Sequence, residues 1–205
     1  MSDGALRVAL TFDAEHPDRS WCPPDNATRI LDALSEKDVR ATFFVQGRWA
    51  LSQPDLAKRI AADGHLVGNH SHFHARMPMF RPDSLVEDIA EARQAIVDVT
   101  GIDSMPWFRF PFGEGAEDQE VLATLATTGY RDTRWDVALD DWEPWRTGPD
   151  IARDAVSGAL EHGDGAIVLL HTWPGGTGDA VPHIVDGLAS LGATFVRLDE
   201  LEVAQ

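Results

Sequence analysis

The sequence predicts an α/β chain whose parallel strands close into a β/α barrel rather than lying as an open sheet. Three observations carry this. Short strand-like runs alternate with helical segments seven times across 205 residues, and β-then-α alternation within one domain calls for parallel strands joined by helical crossovers. No Gly-x-Gly-x-x-Gly turn follows the first strand, so a dinucleotide-binding sheet loses its main support. Polar residues recur where the strands end, the rim on which β/α barrels carry their chemistry.

The elements follow in order. Residues 7–12 read as a strand. A helix over 24–37 sets Ile30, Leu31 and Leu34 on one face, and 41–45 return as strand. Residues 54–63 are helical and stop at Gly64. A short strand over 65–68 leads into a histidine-rich window. A long helix over 83–99 ends at Gly101, a brief strand covers 107–109, and a helix over 119–128 ends at Gly129. Residues 130–135 read as strand, 151–161 as helix, 166–170 as a strongly apolar strand, 181–191 as helix and 193–198 as the last strand. No repeat, low-complexity tract or linker interrupts the pattern, so 1–205 reads as a single domain.

Hydrophobic residues at 43% and charged residues at 25% suit one domain with a substantial core. Acidic residues number 34 against 17 basic, a formal charge of -17. Such a surface repels nucleic acid and anionic membranes, and neither is expected as a partner. No apolar run is long enough to span a bilayer. Residues 1–7 lack a basic segment followed by an apolar stretch, which predicts no signal peptide and a cytoplasmic location. Cys22 is the only cysteine, so no intrachain disulfide forms; between Trp21 and Pro23-Pro24 it reads as a plain loop residue. The oligomeric state is not written in the sequence.

The densest chemical signal is His70-Ser71-His72-Phe73-His74, which holds three of the eight histidines. Neutral imidazole is the commonest metal-binding side chain, and the spacing of His70 and His74 brings both rings to one face. Other strand ends add Asp13 and Glu15 after the first, Arg109 closing the fourth, Asp141 after the fifth and His171 capping the sixth. Two imidazoles and a carboxylate make a three-point site for a divalent metal, with zinc, iron, cobalt and nickel all suited. A second carboxylate supplies a base, a histidine opposite supplies an acid, Arg109 orients a carboxylate, and Asp141 holds the His171 tautomer. The set is suited to metal-assisted hydrolysis of an amide. Plainer readings stand beside this one: Glu15 and His16 as loop residues, Asp141 as one of a solvated acidic cluster with Asp136 and Asp140, and His171 as a core histidine. Trp107, Trp135, Trp142, Trp145 and Trp173 are placed near the same strand ends, with Trp142 and Trp173 read as platforms for sugar rings.

On these residues the chain resembles the polysaccharide deacetylases of the NodB-homology type, carbohydrate esterase family 4. Thr11-Phe12-Asp13-Ala14 is similar to the family's Thr-Phe-Asp-Asp. His70-Ser71 with His74 matches its histidine motif, and Arg109-Phe110-Pro111-Phe112-Gly113 its Arg-x-Pro-Phe/Tyr-Gly. Asp141-Trp142 and Leu169-Leu170-His171 match its last two motifs. The resemblance covers nearly the whole chain. It implies a distorted (β/α)7 barrel and metal-dependent deacetylation of an acetylated sugar. It implies His70 and His74 as ligands of a divalent metal, zinc first, with cobalt, nickel or iron also accommodated. It implies Asp13 as general base tuned by Arg109, His171 as general acid tuned by Asp141, and substrate contacts from Pro111, Phe112 and Leu169 as well as Trp142 and Trp173.

One departure matters. The family's second aspartate, a metal ligand, is Ala14 here. Relatives of a peptidoglycan-deacetylase-like and allantoinase-like branch resemble Asp-x-Asp or Asp-x-Glu instead, and Asp13-Ala14-Glu15 fits that spacing. Residues i and i+2 of a strand point the same way, so Glu15 is expected to replace the missing ligand; a rival assignment makes Asp13 the ligand and Glu15 the base. Three functions stay open: a deacetylase of N-acetylated sugars, a non-sugar C–N hydrolase of small amides or cyclic ureides, and a carbohydrate binder without activity. A glycosidase leaves the histidine cluster without a task.

Overall fold

A computed structural model of the chain describes residues 6–17 and 21–202. The stretch 1–7 that predicts no leader lies, up to residue 5, outside them. The described chain runs β1 (Arg7–Ala14), α1 (Asn26–Glu36), β2 (Thr42–Val45), α2 (Gly47–Ser52), α3 (Pro54–Ala62), β3 (Leu66–Asn69), α4 (Pro82–Thr100), β4 (Trp107–Phe108), α5 (Gln119–Thr127), β5 (Arg131–Asp132), β6 (Val137–Ala138), α6 (Gly148–His162), β7 (Ala166–His171), α7 (Gly175–Ser190), β8 (Thr194–Phe195) and α8 (Leu198–Glu202). Strand order across the sheet is β5-β4-β3-β2-β1-β7-β6, with β8 pairing β1. The strand pairings are parallel. This is the distorted (β/α)7 barrel expected. None of the described helices is long and apolar enough to cross a membrane.

The strand parity of β1 organises the molecule. Val8, Leu10, Phe12 and Ala14 face the helices and join the main core with Ile30, Leu34 and Ile184. Ala9 faces inward with Phe44, Trp107, Leu198 and Leu201, and Asp13 follows two pairs later on that same side. Both faces are buried, as parallel strands covered by helices require. Register then fixes the rim: Asp13 is the partner of Phe44 on β2 and of His171 on β7.

The structure departs from the sequence reading in four places. The helix α2 falls in a stretch with no sequence prediction; Gly47 lets it close on α4, because a Cβ there would lie 2.8 Å from the Ala92 backbone. Of the strand expected over 130–135 only β5 at Arg131–Asp132 forms, and β6 follows beyond it at Val137–Ala138. Thr133 N–H still bonds to Phe108 C=O at 2.7 Å, whereas Asp136 N–H bonds to Ile167 C=O at 2.9 Å. The chain thus leaves the β4 edge and joins the β7 edge within a few residues, crossing the seam of the barrel. Asp141 therefore follows β6. The helix expected over 181–191 starts at Gly175 and carries Pro182 in its interior, where the ring forgoes the i→i−4 bond to the Gly178 carbonyl. The strand expected over 193–198 stops at Phe195 and gives way to α8.

Candidate active site

A cavity of about 330 Å³ opens at the C-terminal ends of the strands, lined by Asp13, Glu15, His70, His74, Phe110, Phe112, Gly113, Trp135, Trp142, Leu169, His171 and Trp173. Glu15, His70 and His74 each offer one ligand atom, and these atoms lie within 4.8 Å of one another. Glu15 Oε2 lies 3.3 Å from His70 Nε2 and in close contact with His74 Nε2. The other oxygen, Oε1, accepts from the indole N–H of Trp173 at 2.9 Å. His70 turns Nδ1 to the carbonyl of Arg109 at 2.9 Å, which fixes the tautomer and aims Nε2 at the carboxylate.

This arrangement tests whether a cation fits. Glu15 Oε2 is buried without a hydrogen-bond partner. A buried carboxylate oxygen against two imidazole nitrogens is tolerable only if a positive charge sits among them, as a proton or as a metal. Burial alone would push Glu15 up, but the two imidazoles of His70 and His74 facing it outweigh burial and hold the carboxyl well below the usual carboxylate range. Burial likewise works against charge on His70, yet Asp13 and Glu15 raise it. Two histidines, one carboxylate and an open cavity are the donor set of a divalent transition metal.

Asp13 sits beside this cluster, Oδ2 lying 3.5 Å from His70 Nε2. Its Oδ1 accepts from Arg109 at 2.9 Å. Arg109 is fully buried, stacked 4.1 Å from the Phe44 ring and donating to Thr133 C=O at 3.1 Å. Burial lowers its pKa against the pull of Asp13. On the other side Asp141 Oδ1 accepts from His171 Nδ1 at 2.7 Å. Asp141 Oδ2 accepts from the His171 backbone N–H at 2.8 Å and the Thr177 hydroxyl at 2.6 Å. Burial would push His171 down, but Asp141 outweighs it and the ring is pushed up to about 9.

Most residues singled out in the sequence converge here. Ala14 does not, and parity explains it: the side chain faces the helix-side core, fully buried, while Asp13 and Glu15 face the cavity. Asp141 is buried, not part of a solvated loop. Pro111 is buried and not among the lining residues; it opens the turn Pro111–Gly113 that carries Phe112. Trp173 is a wall of the cavity, but its indole N–H is engaged by Glu15. Trp107 belongs to the barrel interior, and Trp145 is 70% exposed away from the cavity lining. His72 stands outside the ligand cluster.

Several supporting residues carried no sequence signal. Asp88 on α4 accepts the N–H groups of His72 and Phe73, both at 3.0 Å, and Asn69 accepts that of Ser71 at 2.8 Å. Asn26 donates to the carbonyls of Thr172 and Pro174 after β7. Only distant pairing identifies them. Left-handed backbone is concentrated in the same loops: Ser71, His74, Phe112 and Asp140 have φ of 68°, 57°, 59° and 48°.

A family model for polysaccharide deacetylase matches residues 2–132. A peptidoglycan-N-acetylglucosamine deacetylase of Bacillus cereus is 31% identical over 200 residues, covering 95% of this chain and 67% of that protein. A peptidoglycan-N-acetylmuramic acid deacetylase of Bacillus subtilis is 30% identical over 195 residues, covering 95% and 70%. Among solved structures, a family 4 carbohydrate esterase from Streptomyces lividans in complex with acetate superposes with a TM-score of 0.79 at 29% identity, covering 93% of this chain and 91% of that one.

Proposed function

The chain belongs to the polysaccharide deacetylase family, and on that footing we propose that it is a metal-dependent hydrolase removing the acetyl group from an N-acetylated sugar of a glycan. The observation that carries this reading is the register pairing of Asp13 with His171 beside the Glu15–His70–His74 cluster. It sets an acceptor and a donor of protons on adjacent strands, about 5 Å apart in backbone.

Glu15, His70 and His74 would hold a divalent cation, zinc first by donor type. When bound there it supplies Lewis acidity toward an acetyl carbonyl and toward water. Asp13, with Oδ1 engaged by Arg109, keeps Oδ2 to take the proton from the attacking water. His171, with Nδ1–H given to Asp141, presents Nε2–H to the departing sugar nitrogen as the C–N bond breaks. Acetate and a free amine leave. Phe112, Trp135, Trp142 and Leu169 supply apolar walls for a sugar ring, and Trp173 steadies Glu15 through its indole N–H.

Acetate release from chitooligosaccharides and peptidoglycan fragments tests this, with a small amide and a cyclic ureide in parallel. Release is expected from at least one sugar, lost on chelation, restored by one equivalent of zinc or cobalt, and not restored in Glu15→Ala. Metal-loaded protein that releases no acetate from any N-acetylated glycan would overturn the reading, and turnover of the ureide alone would redirect it.

A further inference from the structure

The catalytic cavity does not end at His74. The same residue is a wall of a second, shallower groove of about 250 Å³, lined also by His16, Gln46, Arg48 and Phe73. Gln46 Oε1 accepts from the His16 backbone N–H at 3.0 Å, so the amide turns its acceptor to the chain and keeps an NH₂ group to donate. Phe73 is half exposed, and the Arg48 guanidinium lies over its ring at 5.8 Å. The Arg48 backbone N–H meets the His72 carbonyl at 3.4 Å, which ties the start of α2 to the loop that carries His74.

Arg48 belongs, with Arg40 and Arg81, to the minority of described arginines outside the ion pairs, and of these three it alone lines the groove. The chain has twice as many acidic as basic residues, and its arginines are largely consumed by them, as in Arg7–Asp164, Arg93–Asp103 and Arg146–Asp154. Among the described residues no carboxylate lies within salt-bridge distance of Arg48. An unneutralised guanidinium, an amide NH₂ and an exposed aromatic face in one groove form a receptor for a carboxylate attached to an apolar stem.

We infer that this groove is a subsite for a carboxylate-bearing substituent of the substrate, and that Arg48 sets a preference for glycans containing N-acetylmuramyl units over neutral N-acetylglucosamine polymers. The inference rests on the deacetylase reading above. The sugar chemistry fits it: the acetamido nitrogen and a 3-O-lactyl ether are on neighbouring ring carbons. With the amide in the catalytic cavity, the lactyl carboxylate is therefore brought to its rim. There the methyl of the stem meets Phe73 and the carboxylate meets Arg48 and Gln46.

The test uses three tetrasaccharides: a peptide-free alternating N-acetylglucosamine–N-acetylmuramic acid chain, the same chain with its lactyl carboxyls reduced to alcohols, and tetra-N-acetylchitotetraose. The metal-loaded protein is expected to favour the carboxylate form over its reduced twin. Arg48→Gln, a change at an exposed position, is expected to lower kcat/KM on the carboxylate form alone by about fivefold to tenfold, through KM. The gap should shrink in about 0.5 M salt. Equal losses on all three glycans, no loss on any, or no wild-type preference for carboxylate over alcohol would overturn the inference. If no glycan releases acetate, the deacetylase reading itself has failed. The groove is then judged by tryptophan-fluorescence titration with the carboxylate and reduced chains. A preference for carboxylate that Arg48→Gln removes supports the subsite, and equal dissociation constants refute it.

Discussion

His171 shows how a single residue acquires its chemistry from partners that the sequence only half reveals. The ring follows an apolar strand, and from sequence alone a core histidine bonded to backbone competes with a catalytic one. What separates them is Asp141, thirty residues earlier, buried and spending both oxygens on His171 and Thr177. In metal-free protein the His171 imidazole should titrate by NMR near 9, and Asp141→Asn should bring it down toward 6.5. The sign for activity follows: an acid is useful while protonated, so turnover falls as pH rises through the His171 pKa, and Asp141→Asn should move that alkaline limb to lower pH. An unchanged limb would remove His171 from the acid role. Glu15 is the residue for which sequence served best, because strand parity alone carries it to the side of Asp13 and sends Ala14 to the helices. Its bond to Trp173 was illegible, since 158 residues separate the two.

At the scale of elements, long helices and the central strands were readable from periodicity, and β4 and β8 fell inside expected strands, but the short pair at the seam was not resolved. Two residues carry little period, so the strand expected over 130–135 overran β5 and β6 had no expectation, although β5 and β6 hydrogen-bond to opposite edges of the sheet. The third strand holds a less visible device. His65, just before β3, accepts the Ala41 backbone N–H on Nδ1 at 3.0 Å, which demands a neutral ring with its proton on Nε2. Burial lowers its pKa to about 4. A histidine whose folded pKa lies below its unfolded value near 6.5 contributes stability above 6.5 and loses it as pH falls toward 4, on the order of 3 kcal/mol here. Urea unfolding of wild type and His65→Asn at pH 7 and pH 4.5 checks this: the asparagine Oδ1 keeps the acceptor, so the variant should lose less stability on acidification. Parallel losses would exclude His65 as the acid-sensitive group.

Across the whole molecule, the barrel was legible because strand–helix alternation and polar strand ends are properties of many residues at once. The seam was not, because a single stretch of chain makes it. The candidate metal cluster joins the end of β1 to the loop after β3, so a cation bound there stabilises only the folded chain. At a free metal concentration a hundredfold above Kd, linkage gives about 2.7 kcal/mol, or roughly 5–10 °C in Tm for a domain of this size. Differential scanning calorimetry with zinc against chelator should show that rise in wild type and not in Glu15→Ala; equal shifts in both would move the metal elsewhere. The left-handed residues of the rim have a further consequence. Non-glycine side chains at φ of 48–68° cost about 1 kcal/mol or more each. Of the five such positions among the described residues only Asp38 lies in an ordinary turn after a helix. A laboratory population selected for heat resistance without selection for turnover should therefore drift to glycine at Ser71, His74, Phe112 and Asp140, growing hardier as it loses its reactive rim.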